Sequence, residues 1–500
     1  AWSAWLADRY PAASATEREA RIRQQYRLRP DESTGLPVSG DFTGTAILYD
    51  KRPLKTVDYK FFAQVMFARW SAAITATIRA NGDPGQLITV GQDEAGTGDS
   101  PSPHFFAHTV DFTSLHNWWL NDDLVWDSVM MKVHGKANLI EETGVMFYER
   151  IDGSAYRSET EAAHLLDRKI AVSVGTGGAG FIQWIWNINP LMKNDNEATI
   201  GLHRADGTVK PEYDVVRKYS GFISKHRTIF RDREDETVVM LIPHAQIFSP
   251  RNSATEATKR AVRTLTYGLG LPVRAVAEHA GPETVRGARL LVAPSPRTLT
   301  DKGWELLKNA AASGCTVMMS GIIDENEFYI DRKRSAALGV QASSSVIVQE
   351  ETVRIDGVPY RFSFRGERMQ QLEKADLSPE QEQQVVIIPH GKGRFIWSPV
   401  PVENSDSAES LLAYYTFGVA QAKVAPLFTA VKAPSILLLP QLFRDHVMYT
   451  AVSESNEDTV LRFRHATTAP EHSIPLPAQQ AVLIILDRRT GAVTGRSDVR

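Results

Sequence analysis

The sequence predicts an α/β chain: a partial (β/α)8 TIM barrel, then a flavodoxin-like α/β unit, then a small all-β sandwich. Three observations predict it. Strand-length apolar runs alternate with helix-length periodic segments over 1–225 and again over 237–422, the pattern of parallel sheets with crossover helices. In the first stretch aromatic and acidic residues fall at the carboxyl ends of the apolar runs, where a (β/α)8 barrel places its functional groups. From Pro434 onward ILLLPQLF, HVMYTAVSE, TVLRFRH and AVLIILDRR follow one another like the strands of a sandwich.

The elements run as follows. Trp2, Trp5, Leu6 and Tyr10 recur at helical spacing, so 1–30 reads as helix. The chain has no initiating Met and opens as if a helix were under way, which leads to the expectation that sequence precedes it. Residues 31–55 read as loop. A long amphipathic helix over 58–81 stops at Asn81-Gly82-Asp83-Pro84. QLITVG (86–91) reads as a strand, then VDFTSLHNWW (110–119), a helix at 121–133, and the run ANLIEETG (137–144). A helix at 157–171, the strand FIQWIWNIN (181–189) and a helix ending near 223 complete the first region. TVVMLIP (237–243), ARLLVAP (288–294) and CTVMMSG (315–321) are buried-strand runs separated by helices at 254–268 and 300–312. They form the flavodoxin-like layout, with a β-rich stretch at 345–366 and a closing helix at 409–422. The expected regions are 1–230, 236–425 and 430–500.

Composition narrows the function. The 500 residues carry a formal net charge of −3, so no global field draws the chain to nucleic acid or an anionic membrane. No apolar run reaches the ~18 residues of a membrane span. One cysteine, Cys315, excludes intramolecular disulfides and a Cys-rich zinc site. No H-x-x-x-H or carboxylate cluster suggests a metal, and no cofactor is expected.

The chemistry-bearing motif is IEETG (140–144). Glycoside hydrolysis needs two carboxyl groups flanking the scissile bond, one of them a nucleophile in a retaining enzyme. A carboxylate at a strand end before a glycine turn can point into a cleft. Glu141 and Glu142 alternate faces, so only one is expected to do so. HNWW (116–119) lies one strand earlier and QWIWN (183–187) one strand later. Sugar rings stack on aromatic faces, and their hydroxyls need a few placed polar groups.

LITVGQDEAG, VDFTSLHNWW, ANLIEETGVM, FIQWIWNIN and GLHRADGTVKPE, in this order, resemble the second half of clan A glycoside hydrolases, the (β/α)8 superfamily of families 5, 2 and 42. The resemblance implies roles. Glu142, in E-T-G, matches the nucleophile, with Glu141 in reserve. Trp184 matches the platform Trp of strand eight, and His116 the strand-six position beside the nucleophile. Asn117, Trp118, Trp119, Trp186, Asn187 and Asp93 are the further substrate-binding candidates. The acid/base, an Asn-Glu pair at the end of strand four, has no match and is expected upstream of Ala1, with Glu94 as its rival. The order barrel, flavodoxin-like unit, β-domain is similar to family 42 β-galactosidases, where the second unit is a trimerisation domain. That implies an oligo- or polysaccharide substrate, a homo-oligomer and no cofactor. The alternative is a carbohydrate-binding protein with a degenerate barrel.

Two motifs read as decoys. GTGGAG (175–180) satisfies G-x-G-x-x-G, but a strand follows it where a dinucleotide site needs a helix. Cys315 opens an apolar run and reads as a small buried hydrophobe, not the nucleophile of a glutamine amidotransferase-like domain. The strand ends Pro243-His244, Ala293-Pro294-Ser295 and Ser320-Gly321 show no evident nucleophile–base pair.

Overall fold

The computed structural model describes all residues except 44–53, 92–99, 119–121, 147–149, 153, 194–197, 250, 366–371, 378–382, 431–434, 466–469 and 499–500. The chain opens on two helices rather than one, Trp2–Arg9 and Ala15–Tyr26. Pro11 disfavours helical geometry at Tyr10, and Ser14 starts the second helix by accepting the Glu17 N–H at 3.1 Å. Trp2 and Trp5 stack at 5.4 Å and meet Phe62 of the long helix Leu54–Asn81. Tyr10 and Tyr26 both donate to the fully buried carboxylate of Asp58 on that helix.

Strands β1 (Thr113–His116), β2 (Asn138–Thr143) and β3 (Gly180–Gln183) form a parallel three-stranded sheet in the order β1-β2-β3. Helices Asp122–Met130 and Glu159–Gly175 make the crossovers. No closed barrel is present among the described residues.

QLITVG is no strand of this sheet, although it runs beside β1. The Ile88 N–H goes to the Asp111 carboxylate at 2.6 Å, and the hydroxyls of Thr89 and Ser114 take the carbonyls of Phe112 and Val90. The Asp111 N–H bonds the Ile88 carbonyl at 2.8 Å, but side chains take the Ile88 N–H and the carbonyls of Phe112 and Val90, so no regular backbone ladder forms.

The helix Glu159–Gly175 begins with a Ser158/Glu161 capping box and is buried from Leu166 to Gly175. One side packs on the first sheet and the other on the carboxy-terminal β-domain, where Gly175 touches Thr450 and Leu439.

In the second region β4 (Val238–Ile242), β5 (Val273–Ala277), β6 (Leu290–Ala293) and β7 (Thr316–Ser320) are fully buried parallel strands. Excursions β8 (Ala342–Val346), β9 (Glu350–Ile355), β10 (Val358–Ser363) and β11 (Glu373–Leu377) make two antiparallel pairs. Then β12 (Val386–His390) and β13 (Gly393–Ser398) complete the sheet β12-β13-β7-β6-β4-β5. Its five parallel strands follow the flavodoxin-like order 2-1-3-4-5, with β12 antiparallel at the edge.

The last region has strands β14 (Phe428–Ala430), β15 (Ile436–Leu442), β16 (His446–Ser453), β17 (Thr459–His465), β18 (Glu471–Leu476), β19 (Ala481–Asp487) and β20 (Val493–Arg496). They form sheets β14-β17-β18 and β15-β16-β19-β20, closed over a core that includes Tyr449, Phe463 and Ile484. No helix among the described residues is long and apolar enough to cross a membrane.

Candidate active site

The carboxyl ends of β1, β2 and β3 bring together His116, Glu141, Glu142 and Trp184. Register slips between Leu115 and His116, so that His116 pairs with Glu142 while Leu115 pairs with Ile140. Glu141 is the extra residue of a bulge. The strict alternation expected from the sequence fails there. His116 Nε2 lies 3.4 Å from Glu141 Oε1 and 3.6 Å from Glu142 Oε2, so both carboxylates face one imidazole. All three side chains keep contact with solvent.

Glu142 is further held by the Trp118 indole N–H, which donates to Oε1 at 3.1 Å. Glu141 packs over the backbone of Gly91, where a Cβ would stand 2.6 Å from Glu141 Oε1. The glycine of E-T-G has a packing reason too. A Cβ on Gly144 would meet Trp118 Cζ3 at 3.0 Å and the Trp184 carbonyl at 3.1 Å. Lys169, buried on the helix Glu159–Gly175, donates to the Gly144 carbonyl at 2.9 Å and lies 5.8 Å from the Trp118 ring centroid.

Trp184 follows β3, its backbone N–H bonded to the Thr143 carbonyl at 2.8 Å and its ring partly exposed. Trp186 is more exposed and lies against His203 at 4.6 Å. Asn187 bridges to His203. Asn117 differs from its expected role: it is fully buried, and its Nδ2 donates to Asp127 at 3.0 Å, so it ties β1 to the following helix. Asp93, Glu94 and Trp119 lie outside the described residues. Sequence reasoning missed Lys169, whose burial on a helix gives no periodic signal. Among the described residues no group of three or more His, Cys, Asp or Glu is placed to hold a metal.

No family model and no curated relative matches the sequence. Solved structures do. The β-galactosidase of Rahnella sp. R3 superposes with a TM-score of 0.74 at 12% identity, over 97% of this chain and 75% of that one. A GH42 β-galactosidase of G. stearothermophilus gives 0.75 at 11% identity, over 97% and 75%. An exo-carrageenase of GH42 from Bacteroides ovatus gives 0.60 at 11% identity, over 97% and 62%. The architecture is therefore that of a multi-domain α/β glycoside hydrolase. More particularly, this chain has the fold of the GH42 β-galactosidases along nearly its whole length.

Proposed function

We propose that this chain belongs to a retaining β-glycoside hydrolase of the β-galactosidase type and that Glu142 is its nucleophile. The observation that carries the reading is Glu142 at a parallel strand's carboxyl end, bonded by Trp118 and flanked by His116. The carboxylate attacks the anomeric carbon, the glycosidic bond breaks, and water later releases the sugar from the covalent intermediate. Donors on the carboxylate orient it, and Trp184 offers a ring face to the sugar. Glu141, facing the same imidazole, is the reserve nucleophile. Glu94 is the acid/base candidate within this sequence.

A labelling experiment tests the nucleophile without the acid. A 2-fluoro-β-galactoside with a dinitrophenolate leaving group needs no proton on departure. It should leave a covalent sugar on the peptide carrying Glu142, and Glu142→Gln should abolish the adduct. An adduct on Glu141, or none on either residue, sinks the assignment. For the second region we infer an assembly role and hence a homo-oligomer, which light scattering of the protein with and without residues 236–425 tests. Two monomers would end that idea.

A further inference from the structure

A second concavity lies at the opposite, amino-terminal end of the β2 and β3 strands, away from Glu142. It holds about 480 Å3 and is walled by the segments leading into β2 and β3, the end of the helix Pro211–Phe230 and the connection to β4. Six cationic side chains line it, Lys132, Lys136, Arg227, Arg231, Arg233 and Arg274, against three carboxylates. Those carboxylates are largely spent. Glu236 is shared by Lys132 and Arg233, and that pair of cations holds its carboxyl down at about 2 against the effect of burial. Glu234 pairs with Arg488, and Asp235 faces His134 at 3.3 Å. Among the described residues Arg274 donates to the carbonyls of Glu236 and Thr284. Arg227 and Arg231, one helical turn apart, are exposed and make no ion pair or side-chain hydrogen bond among the described residues.

Burial, and after it the charge of Arg233, pushes Lys132 down to about 8 although Glu236 beside it acts in the opposite direction. The helix carboxyl end contributes roughly half a negative charge, less than two guanidinium groups supply. The glycine-rich loop is not the anion cradle. The N–H groups of Gly177, Gly178 and Ala179 are bonded to Val174, Ser173 and Asn138 carbonyls. Its glycines make room instead: at Gly177, with φ of 99°, a Cβ would collide with the Arg233 guanidinium.

We propose that this basin binds a sugar-sized ligand carrying a sulfate or phosphate ester, with Arg227 and Arg231 gripping the oxyanion. Paired guanidinium forks match tetrahedral oxyanions. The volume exceeds what a bare ion fills and suits an ester of a mono- or disaccharide. The site stands independently of the glycosidase reading.

Calorimetric titration at low ionic strength tests it with galactose 6-sulfate, galactose 6-phosphate, galactose and inorganic phosphate. One or both esters should bind, galactose should not, and 0.5 M salt, used as a roughly full screen, should remove the binding. The doubly substituted Arg227→Gln/Arg231→Gln protein, with unchanged circular dichroism, should weaken it by at least about tenfold. No binding of either ester, equal binding by the variant, or inorganic phosphate binding as tightly as the esters would overturn the proposal. Binding of one ester alone identifies the source of the anion.

Discussion

The indole N–H of Trp118 donates to Glu142 Oε1 at 3.1 Å, fixing the orientation of a carboxylate that the backbone alone leaves at the edge of a bulge. Trp118→Phe keeps the ring and removes the donor. A hydrogen bond to a charged acceptor contributes about 1.5–3 kcal/mol, so covalent labelling by the fluoro-sugar should slow roughly ten- to a hundredfold. An unchanged labelling rate would show that this bond does not prepare the nucleophile.

Gly144→Ala should be costly. The new methyl group meets Trp118, Ile200 and the Trp184 carbonyl at 3.0–3.1 Å, between side chains and backbone of two strand ends. Overpacking of this kind costs about 1–3 kcal/mol. The urea midpoint should fall accordingly, and a variant as stable as the parent would mean that the loop yields easily.

Three buried histidines should make stability fall in mild acid. His104, His244 and His279 pack with Phe105 where the first region meets the ends of β4 and β5. Burial pushes His104 and His279 down to about 4 and His244 well below its ordinary value. Lys302 adds to the effect on His279. Below about pH 6.5 the unfolded chain takes up protons that the folded one refuses, so stability is full above that value and is lost as pH falls toward 4. Between pH 7 and 5 the loss is about 2 kcal/mol for each of His104 and His279. Neighbouring Glu278, raised to about 7 chiefly by burial, has the opposite sign: its contribution is full below its unfolded value and fades as pH rises through 7. Urea unfolding at pH 5 and 7 measures the balance. His104→Gln/His279→Gln should flatten the fall, and an equal slope in both proteins would contradict the linkage.

Cys315 should be inert in the folded protein. It is buried at the start of β7, and burial pushes its thiol up to about 12. At pH 8 a thiol reagent should modify it only after urea unfolds the chain. Rapid stoichiometric modification of the native protein would count against that burial.

The α/β character and the strand-by-strand order were legible because buried parallel strands write themselves as apolar runs: TVVMLIP, ARLLVAP and CTVMMSG became β4, β6 and β7. QLITVG shows the limit. Its composition suits a strand, yet Asp111, over twenty residues away, takes the Ile88 N–H. The bulge at Glu141 was equally hidden, because a one-residue slip leaves no mark in the residue types. Asn117 looked like a sugar ligand only while Asp127 was not beside it. At the carboxyl ends of the second sheet, Ser295 and Ser320 both bond Glu403, a buried contact spanning more than eighty residues that no local pattern announces.

The helix Glu159–Gly175 joins two parts of the chain that lie far apart in sequence. Lys169 reaches the Gly144 carbonyl beside Glu142, while Asp167 accepts the Ala481 N–H at 2.7 Å and Arg168 donates to the Gln479 carbonyl at 2.6 Å. A segment only 17 residues long thus has the candidate nucleophile's loop on one flank and β19 on the other. The first and last regions, drawn as separate along the sequence, should then melt in calorimetry as one cooperative endotherm. Deleting the final β-domain would strip the outer flank of this helix and loosen Gly144 from some 300 residues away in the chain. The carboxy-terminal β-domain is in that sense a remote wall of the candidate active site.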